Sequence, residues 1–317
     1  MTSATRREPR VVVVGAGMSG IAMGVALHKA GYDDFVMLEK GPGVGGVWQW
    51  NHYPGLSCDV PSQLYQYAFL TKPDWKRIFA SGSEIREYHD EVVDHFGLRS
   101  NIRFNTEVTG ARFTGAGWEL QTADGQQLDA DFLVMATGLL HHPNVPAIPG
   151  LGDFAARALH SAHWDDDLDV TGKRVAVIGT GSTGVQLVSA FQRIADQVTL
   201  FSRSPQWVFW APTGLRQPKL LTTALRRFPG LNKRLFDVML WGSAILVDIT
   251  TKPSWRRRLV QMSARAHLRT IRDPELRRKL TPDYQPLCKR QVISGSFYRA
   301  VQKPNVEVTT ARNSCRN

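Results

Sequence analysis

Two glycine-rich turns with the same spacing occur in this 317-residue chain, each between a strand pattern and a helix pattern. The first, GAGMSG, follows a run of four valines and precedes a helical pattern that ends near Gly31. Gly15 permits the tight turn, Gly17 lets the backbone approach a pyrophosphate, and Gly20 lets the helix pack on the strand. The turn, including Ser19, therefore predicts a dinucleotide site at a helix N-terminus.

A carboxylate follows the next predicted strand. Residues Phe35 to Leu38 form a short apolar strand that ends at Glu39, where a carboxylate can accept hydrogen bonds from ribose hydroxyls. Strand, turn, helix and terminal acid together favour dinucleotide binding over a chance glycine turn. With Glu39 present, we expect the first nucleotide to be FAD.

The second turn follows the predicted strand Lys173 to Ile178 and begins a helix that runs to about Ile194. Its candidate binding residues are Gly179, Thr180, Gly181, Ser182, Thr183 and Gly184. After the next strand, Val198 to Phe201, the chain has Arg203 and Ser204 in place of an acid. A guanidinium can hold a 2′-phosphate through two hydrogen bonds, so the second nucleotide is expected to be NADPH. The alternative is that Arg203 is a surface residue that ends the strand.

Composition and charge limit the class of protein. With 43% hydrophobic and 21% charged residues, the chain is expected to be a folded globular protein and neither disordered nor fibrous. The two strand-turn-helix-strand units make the expected fold class α/β. The three cysteines (Cys58, Cys288 and Cys315) are odd in number, far apart and without a C-x-x-C pair, so neither a disulfide framework nor a zinc knuckle is expected. This suits a reducing cytoplasm. His160 and His163 lack further ligands nearby, so we assign no metal.

The net charge of +11 is concentrated in one segment of the chain. There are 19 Lys and Arg against 5 Asp and Glu from Arg216 to Arg299, a local net charge of +14. Two interpretations are open: a surface for an anionic partner such as lipid headgroups, which would be a peripheral membrane contact, or solvated helix faces. Helical spacing of the charges favours the second. No basic patch is interleaved with aromatic residues, so nucleic acid is not expected as a partner.

Two apolar stretches resemble membrane-targeting segments. The first follows Arg6, Arg7 and Arg10 like a secretory signal, but its glycines argue against that interpretation. The second, around residues 235–249, is interrupted by Asp237 and Asp248 and is shorter than the roughly 20 residues of a membrane span. We expect no transmembrane helix.

The remaining pattern predicts how the domains are divided. A capping box at Ser81 to Glu84 predicts a helix that stops at Gly97, and short strands follow with a turn at Asp124-Gly125. Prolines then precede a boundary near Gly150. We therefore expect residues 1–150 to form an FAD-binding domain. Residues 151–317 are expected to form an NADP-binding domain with a basic helical insertion at about 216–299.

A spaced motif between the two turns resembles the signature of class B flavoprotein monooxygenases, especially the Baeyer-Villiger type. The signature F-x-G-x-x-x-H-x-x-x-W followed by Pro or Asp matches from Phe154 through His160 to Trp164-Asp165, with Ala156 in place of glycine. The Trp164-Asp165 ending resembles the Baeyer-Villiger version. The resemblance covers nearly the whole chain and implies two Rossmann-like domains, one for FAD and one for NADPH.

The resemblance also implies further cofactor contacts and two catalytic residues. In this family NADPH reduces FAD, the reduced flavin reacts with O2, and the flavin peroxide inserts oxygen into a ketone. Arg290 would stabilise negative charge at the flavin and Asp59 would orient it, whereas a structural salt bridge is the alternative for this pair. A flavin disulfide reductase is rejected because Cys58 lacks a partner cysteine. The implied cofactor contacts are Gly46, Val47, Trp48, Asp59, Tyr65, Val108, Lys289 and Arg290.

The end of the chain lacks likeness to the family. Relatives continue well beyond the segment around Val306, whereas Ala311 to Asn317 has no strand pattern. We therefore expect an FAD domain without its C-terminal part. The alternatives are oxygenation of nitrogen or sulfur in a heteroatom substrate, or an inactive remnant that binds NADP(H).

Overall fold

The computed structural model describes residues 10–310, and within this range the chain divides into two compact units. The first unit comprises the described residues up to His52 together with Gly82–Trp164, and the second comprises Tyr53–Ser81 and the residues from Asp165 onward. Tyr53–Ser81 therefore packs with the second unit although it lies within the first predicted domain along the chain. The expectations for Arg6, Arg7 and Ala311 to Asn317, including Cys315, concern residues outside the described range.

The first unit contains a parallel and an antiparallel sheet. The parallel sheet has the order β3-β2-β1-β7, and the antiparallel sheet has the order β4-β5-β6. In chain order the elements are β1 (Val11–Val14), α1 (Met18–Lys29), β2 (Phe35–Leu38), α2 (Val47–Trp50), α3 (Gly82–His95), β3 (Ile102–Arg103), β4 (Val108–Phe113), β5 (Trp118–Thr122), β6 (Gln127–Ala130) and β7 (Phe132–Met135).

Alternation along β2 assigns its side chains to two faces of the parallel sheet. Leu38 joins a buried cluster with Val12 and Val14 of β1 and Leu120 of β5, so the antiparallel sheet covers this face. Met37 points to the other face, where a Cβ added to Gly24 of α1 would lie 2.9 Å from its sulfur. A glycine in α1 therefore lets the helix approach the sheet closely, and the parallel sheet is covered on both faces.

The second unit is built on the parallel sheet β12-β9-β8 with a helical insertion after β9. The strand pair β10-β11 forms a separate small sheet. The elements are β8 (Arg174–Ile178), α4 (Ser182–Phe191), β9 (Gln197–Ser202), β10 (Val208–Phe209), α5 (Lys219–Arg227), α6 (Pro229–Thr251), α7 (Trp255–Leu268), α8 (Pro274–Lys279), β11 (Val292–Ile293), α9 (Phe297–Ala300) and β12 (Val306–Thr310).

The sequence pattern anticipated these elements closely. Both predicted strand-turn-helix-strand units are present, and the predicted basic region contains α5 to α8. The turn at Asp124-Gly125 joins β5 to β6, with Gly125 at a φ of 85°. The fold is the predicted α/β class with two Rossmann-like units. Among residues 10–310, no helix combines the length and the apolar character that a membrane crossing requires.

Candidate dinucleotide-binding sites

Two positions of the first glycine turn leave no room for a side chain. Gly15 has a φ of 104°, and a Cβ added there would lie 2.6 Å from the carbonyl oxygen of Ala136. A Cβ on Gly20 would lie 1.9 Å from the Gly15 oxygen. Gly17 is the N-cap of α1, and the first turn of this helix has no acidic residue. The backbone N–H groups at this terminus therefore favour an anion such as a pyrophosphate.

A second glycine-containing segment lies against this turn. The N–H of Gly45 donates to the oxygen of Ala16 at 3.0 Å, and a Cβ on Gly46 would lie 3.0 Å from the Cα of Gly17. Val47 and Trp48 follow directly and begin α2. The predicted residues Gly46, Val47 and Trp48 thus lie beside the predicted pyrophosphate turn.

The Glu39 side chain holds the turn in place. It is buried, and its Oε2 accepts from the N–H of Ala16 at 2.7 Å while its Oε1 accepts from the N–H of Gly41 at 2.7 Å. The sequence predicted a ribose contact for Glu39 but not these backbone bonds. Each carboxylate oxygen can accept more than one hydrogen bond, so the bonds present leave acceptor capacity for hydroxyl groups.

The residues that the resemblance assigned to the flavin fall in both units. Val108 begins β4 of the first unit, whereas Asp59, Tyr65, Lys289 and Arg290 belong to the second. Arg290 is exposed before β11, and within the described range no salt bridge joins it to Asp59. The orienting role of Asp59 therefore stays a proposal.

The thiol beside Asp59 is buried. Burial, together with the negative charge of Asp59, raises the pKa of Cys58 to about 12. Neutral thiol is therefore the form of Cys58 at ordinary pH, and the described residues provide no disulfide partner for it.

The second glycine turn repeats the geometry of the first. Gly179 has a φ of 110°, and its N–H donates to the oxygen of Phe201 at 3.0 Å. A Cβ on Gly184 would lie 2.1 Å from the Gly179 oxygen, so the helix approaches the turn closely. Gly181 is the N-cap of α4, and Ser182 and Thr183 occupy a first turn without acidic residues. This terminus is a second site suited to phosphate.

A hydrogen bond joins this turn to the segment after β9. The Oγ1 of buried Thr180 donates to the backbone oxygen of Ser204 at 2.8 Å. Arg203 precedes Ser204 and is exposed, and its guanidinium has no hydrogen bond or salt bridge with any residue that the structure describes. The side chain predicted to recognise a 2′-phosphate therefore lies next to the turn and is available for a ligand.

Two residues that support the second turn were missed from the sequence. The hydroxyl of Tyr53 donates to Gln186 Oε1 at 2.9 Å, and its oxygen lies 3.3 Å from Thr183 Oγ1. Gln186 Nε2 in turn donates to the oxygen of Ser57 at 2.9 Å. These bonds fasten the segment that contains Asp59 to α4. No local pattern indicates them, because the partners are separated by more than a hundred residues.

His160 and His141 make contacts that stabilise the local fold. His160 caps the short 3₁₀ helix Ser161–His163, where its Nδ1 accepts from the N–H of Ala162 at 3.1 Å. His141 packs its ring against Trp50 at 5.5 Å between centroids. Across residues 10–310, no group of three or more His, Cys, Asp or Glu side chains is arranged to hold a metal ion.

The family model described as pyridine nucleotide-disulphide oxidoreductase matches residues 12–217, which include both glycine turns. The chain belongs to this family. Its name covers disulphide chemistry, but Cys58 and Cys288 are free thiols in the structure. The match therefore extends over the two nucleotide-binding turns and not over a pair of disulphide-forming cysteines.

Relatives narrow the comparison to monooxygenases. The chain is 47% identical to an uncharacterized monooxygenase of Mycobacterium bovis over 97% of its own length and 62% of the relative. It is 42% identical to a Baeyer-Villiger monooxygenase of Streptomyces coelicolor, over 95% of this chain and 58% of that one. Its fold is similar to that of OTEMO solved in complex with FAD and NADP. That match has a TM-score of 0.81 and 27% identity, and it covers 97% of this chain and 66% of the solved chain.

These matches confirm the resemblance to flavin-dependent monooxygenases that the sequence motifs indicated. The chain spans about three fifths of the length of the curated relatives it matches.

Proposed function

We propose that the protein is an FAD- and NADPH-dependent monooxygenase that inserts one oxygen atom from O2 into a small-molecule ketone. One observation carries the proposal: the chain has two glycine turns at helix N-termini, one held by a buried carboxylate and the other next to an unpaired guanidinium. A carboxylate suits the ribose of FAD, whereas a guanidinium suits the extra phosphate of NADPH. The monooxygenase relatives support this pairing.

The residues of the first unit fit FAD. Glycine at positions 15, 17 and 46 lets neighbouring backbone segments pack closely, because a Cβ there would meet the backbone of Ala136, Gly46 or Gly17. The backbone N–H groups at the N-terminus of α1 would bind the pyrophosphate. Glu39 would accept from the ribose hydroxyls with its remaining lone pairs. We further propose that Trp48 and Val108 of this unit contact the flavin.

The residues of the second unit fit NADPH. The first turn of α4, from Ser182 to Gly184, would bind the pyrophosphate. Arg203 would bind the 2′-phosphate, and Ser204 lies within the same segment. The Thr180 bond to this segment keeps the two phosphate contacts at a fixed separation.

The residues proposed for chemistry are Arg290 and Asp59. When bound, FAD and NADPH would supply the hydride and the oxygen activation that the reaction requires. Arg290 carries a permanent positive charge and would stabilise negative charge that develops on oxygen. Asp59 would orient Arg290, and Lys289 would add positive charge beside it. The free thiols of Cys58 and Cys288 suit the cytoplasm, which we propose as the location.

The visible absorption spectrum of the purified chain tests the function. With FAD supplied, the protein should show a bound-flavin spectrum that bleaches on anaerobic addition of NADPH. Aerobic addition of a cyclic ketone should then give the lactone. A flavin-loaded protein that NADPH cannot bleach would contradict the proposal, whereas Arg290→Lys should bleach normally yet form little lactone.

A narrower function is favoured by one observation. The side chains of Phe132 and Met135 on the edge strand β7 are 59% and 61% exposed, so the first unit presents apolar surface to solvent. If this unit does not retain FAD, the chain would bind NADP(H) without oxygen transfer. A colourless protein that still binds NADPH would support this second candidate.

A further inference from the structure

The second unit contains a surface cavity of about 560 Å³ that neither nucleotide turn lines. Four cationic side chains line it (Arg193, Arg272, Arg299 and Lys303), and its lining residues include no carboxylate. Like charges around one concave space raise the local concentration of anions, because the low-dielectric walls focus the field. We call this space the basic cavity.

The cations of the basic cavity are not neutralised by the protein. None of the four forms a salt bridge with a carboxylate in the described part of the chain. Arg299 donates one hydrogen bond to the oxygen of Gly295 at 3.0 Å and keeps its other donors. Four cations therefore face one concave space without a counter-ion from the described residues, so their charge and donors are available to an anion.

The walls of the basic cavity are held by hydrogen bonds. Gln302 Oε1 accepts from the N–H of Arg272 at 2.8 Å, and Gln302 Nε2 donates to the oxygens of Tyr298 at 2.6 Å and Thr270 at 3.3 Å. Ile271 and Tyr298, which are neighbours in sequence of lining residues, are fully buried. A fixed lining reduces the ordering cost of binding, which favours a site over a mobile charged surface.

The basic cavity lies at the opposite end of α4 from the proposed NADPH contacts. Arg193 follows the C-terminus of α4, a ten-residue helix about 15 Å long at 1.5 Å per residue that begins at Ser182. Asn305, just before β12, donates to the oxygen of Gln192 at 3.1 Å, so the cavity adjoins the amino edge of the sheet. Dinucleotides bind at the carboxyl edge, so this cavity is a separate site.

We propose that the basic cavity binds a compound with two adjacent phosphate groups, such as a small organic diphosphate. Arginine matches phosphate oxygens with two parallel hydrogen bonds, and four cations match the charge of two phosphates. The hydroxyl of Ser296 and the amide of Gln192 lie in the same lining and add uncharged polar groups. The same chemistry occurs in soluble metabolites and in phosphorylated lipid headgroups. The proposal does not depend on the monooxygenase function.

Titration calorimetry of the full chain with inorganic pyrophosphate tests the site. The wild-type protein should bind it saturably, and Arg272→Gln/Arg299→Gln should weaken binding at least tenfold. The matched control is Arg269→Gln/Arg278→Gln, which removes the same charge from a neighbouring cavity of about 400 Å³ and should change binding less than twofold. Thermal melts would confirm folding, and Arg193→Gln/Lys303→Gln provides a second variant if the first does not fold.

The proposal would be overturned if pyrophosphate did not bind saturably, or if the two double variants lost the same amount of affinity. It would also be overturned if neither double variant changed the affinity, because pyrophosphate would then bind at a glycine turn. Flotation with phosphatidylcholine vesicles that contain phosphatidylinositol bisphosphate separates the two sources. Vesicle binding that the Arg272/Arg299 substitutions abolish would assign a lipid headgroup. Pyrophosphate binding without vesicle binding would assign a soluble ligand.

Discussion

The side chain of Thr180 donates a hydrogen bond to the backbone oxygen of Ser204, so the second glycine turn and the end of β9 are joined at 2.8 Å. This bond is buried on the Thr180 side, where losing it would leave a polar group without water. Arg203 precedes Ser204, so the bond fixes the backbone that carries the guanidinium. The distance between the second glycine turn and the backbone of Arg203 is therefore set before a nucleotide binds.

Substitution of Arg203 should change nucleotide preference. In Arg203→Gln the charged hydrogen bonds to a 2′-phosphate are lost, and we expect about 10- to 100-fold weaker NADPH binding with NADH binding unchanged. Fluorescence titration with both nucleotides measures this. Arg174→Gln, an exposed arginine at the start of β8, is the control and should affect neither nucleotide. Equal weakening for both nucleotides would contradict the assignment.

The two glycine turns should tolerate alanine unequally. Gly15 and Gly179 have similar positive φ angles, so alanine at either costs about 1–2 kcal/mol of backbone strain. At Gly15 the new Cβ would also lie 2.6 Å from the Ala136 oxygen, whereas at Gly179 no heavy atom of the described residues lies within 4 Å. Thermal melts should show the larger fall in Tm for Gly15→Ala. A larger fall for Gly179→Ala would mean that the surroundings of the turns differ from those described.

Removal of the Tyr53 hydroxyl should loosen the attachment of its segment to α4. Tyr53→Phe loses two hydrogen bonds of a buried side chain, and we expect a loss of about 1 kcal/mol and a fall in Tm of about 2–4 °C. Tyr32→Phe is the control, because Tyr32 is 40% exposed. An unchanged Tm in Tyr53→Phe would show that the Gln186 contact adds little.

The first unit should lose stability in mild acid because of His89. Burial lowers the pKa of this fully buried imidazole to about 4, against about 6.5 in an unfolded chain. The depressed pKa gives a stabilising contribution that is complete above pH 6.5 and is lost as the pH falls through 4. The slope is at most about 1.4 kcal/mol per pH unit, the linkage of one proton.

Chemical unfolding at several pH values checks this linkage. His89→Phe cannot titrate and should flatten the dependence between pH 4 and 6.5, while the exposed His28→Gln should retain it. A slope that survives in His89→Phe would assign the acid sensitivity to other groups.

The cysteines should differ in reactivity. Only the thiolate reacts with iodoacetamide, and a thiol with a pKa of about 12 is ionised in roughly one molecule in ten thousand at pH 8. Mass spectrometry after short alkylation should therefore find Cys288, which is exposed, modified and Cys58 unmodified. Modification of both thiols in urea would confirm that burial protects Cys58. Rapid labelling of Cys58 in the folded chain would show that its segment opens.

The sequence predicted the elements whose pattern is local. The valine run before Gly15 and the apolar strand before Gly179 each sit next to their turns, so strand, turn and helix can be recognised within about 30 residues. The position of Arg203 was also local, because it follows its strand directly. The family signature further predicted that the FAD fold precedes the NADPH fold along the chain.

Contacts between distant parts of the chain were not predictable in the same way. Tyr53 has no periodic neighbour that indicates Gln186, and the two are 133 positions apart. The basic cavity likewise combines Arg193 with Lys303, and both lie outside the segment from Arg216 to Arg299 in which the sequence concentrates its positive charge. Which distant residues contact each other depends on tertiary packing, and a local sequence pattern does not show it.

The chain crosses between the two units at His52, Ser81 and Trp164, so the second unit is not one continuous stretch of polypeptide. During synthesis Tyr53 is added to the chain 133 residues before Gln186. At typical elongation rates of about 5–20 residues per second, the segment would wait roughly ten seconds for its packing partner. Its apolar side chains, including the fully buried Trp75, would be exposed during that interval. The interleaved order thus delays burial of this segment until more than half of the chain has been synthesised.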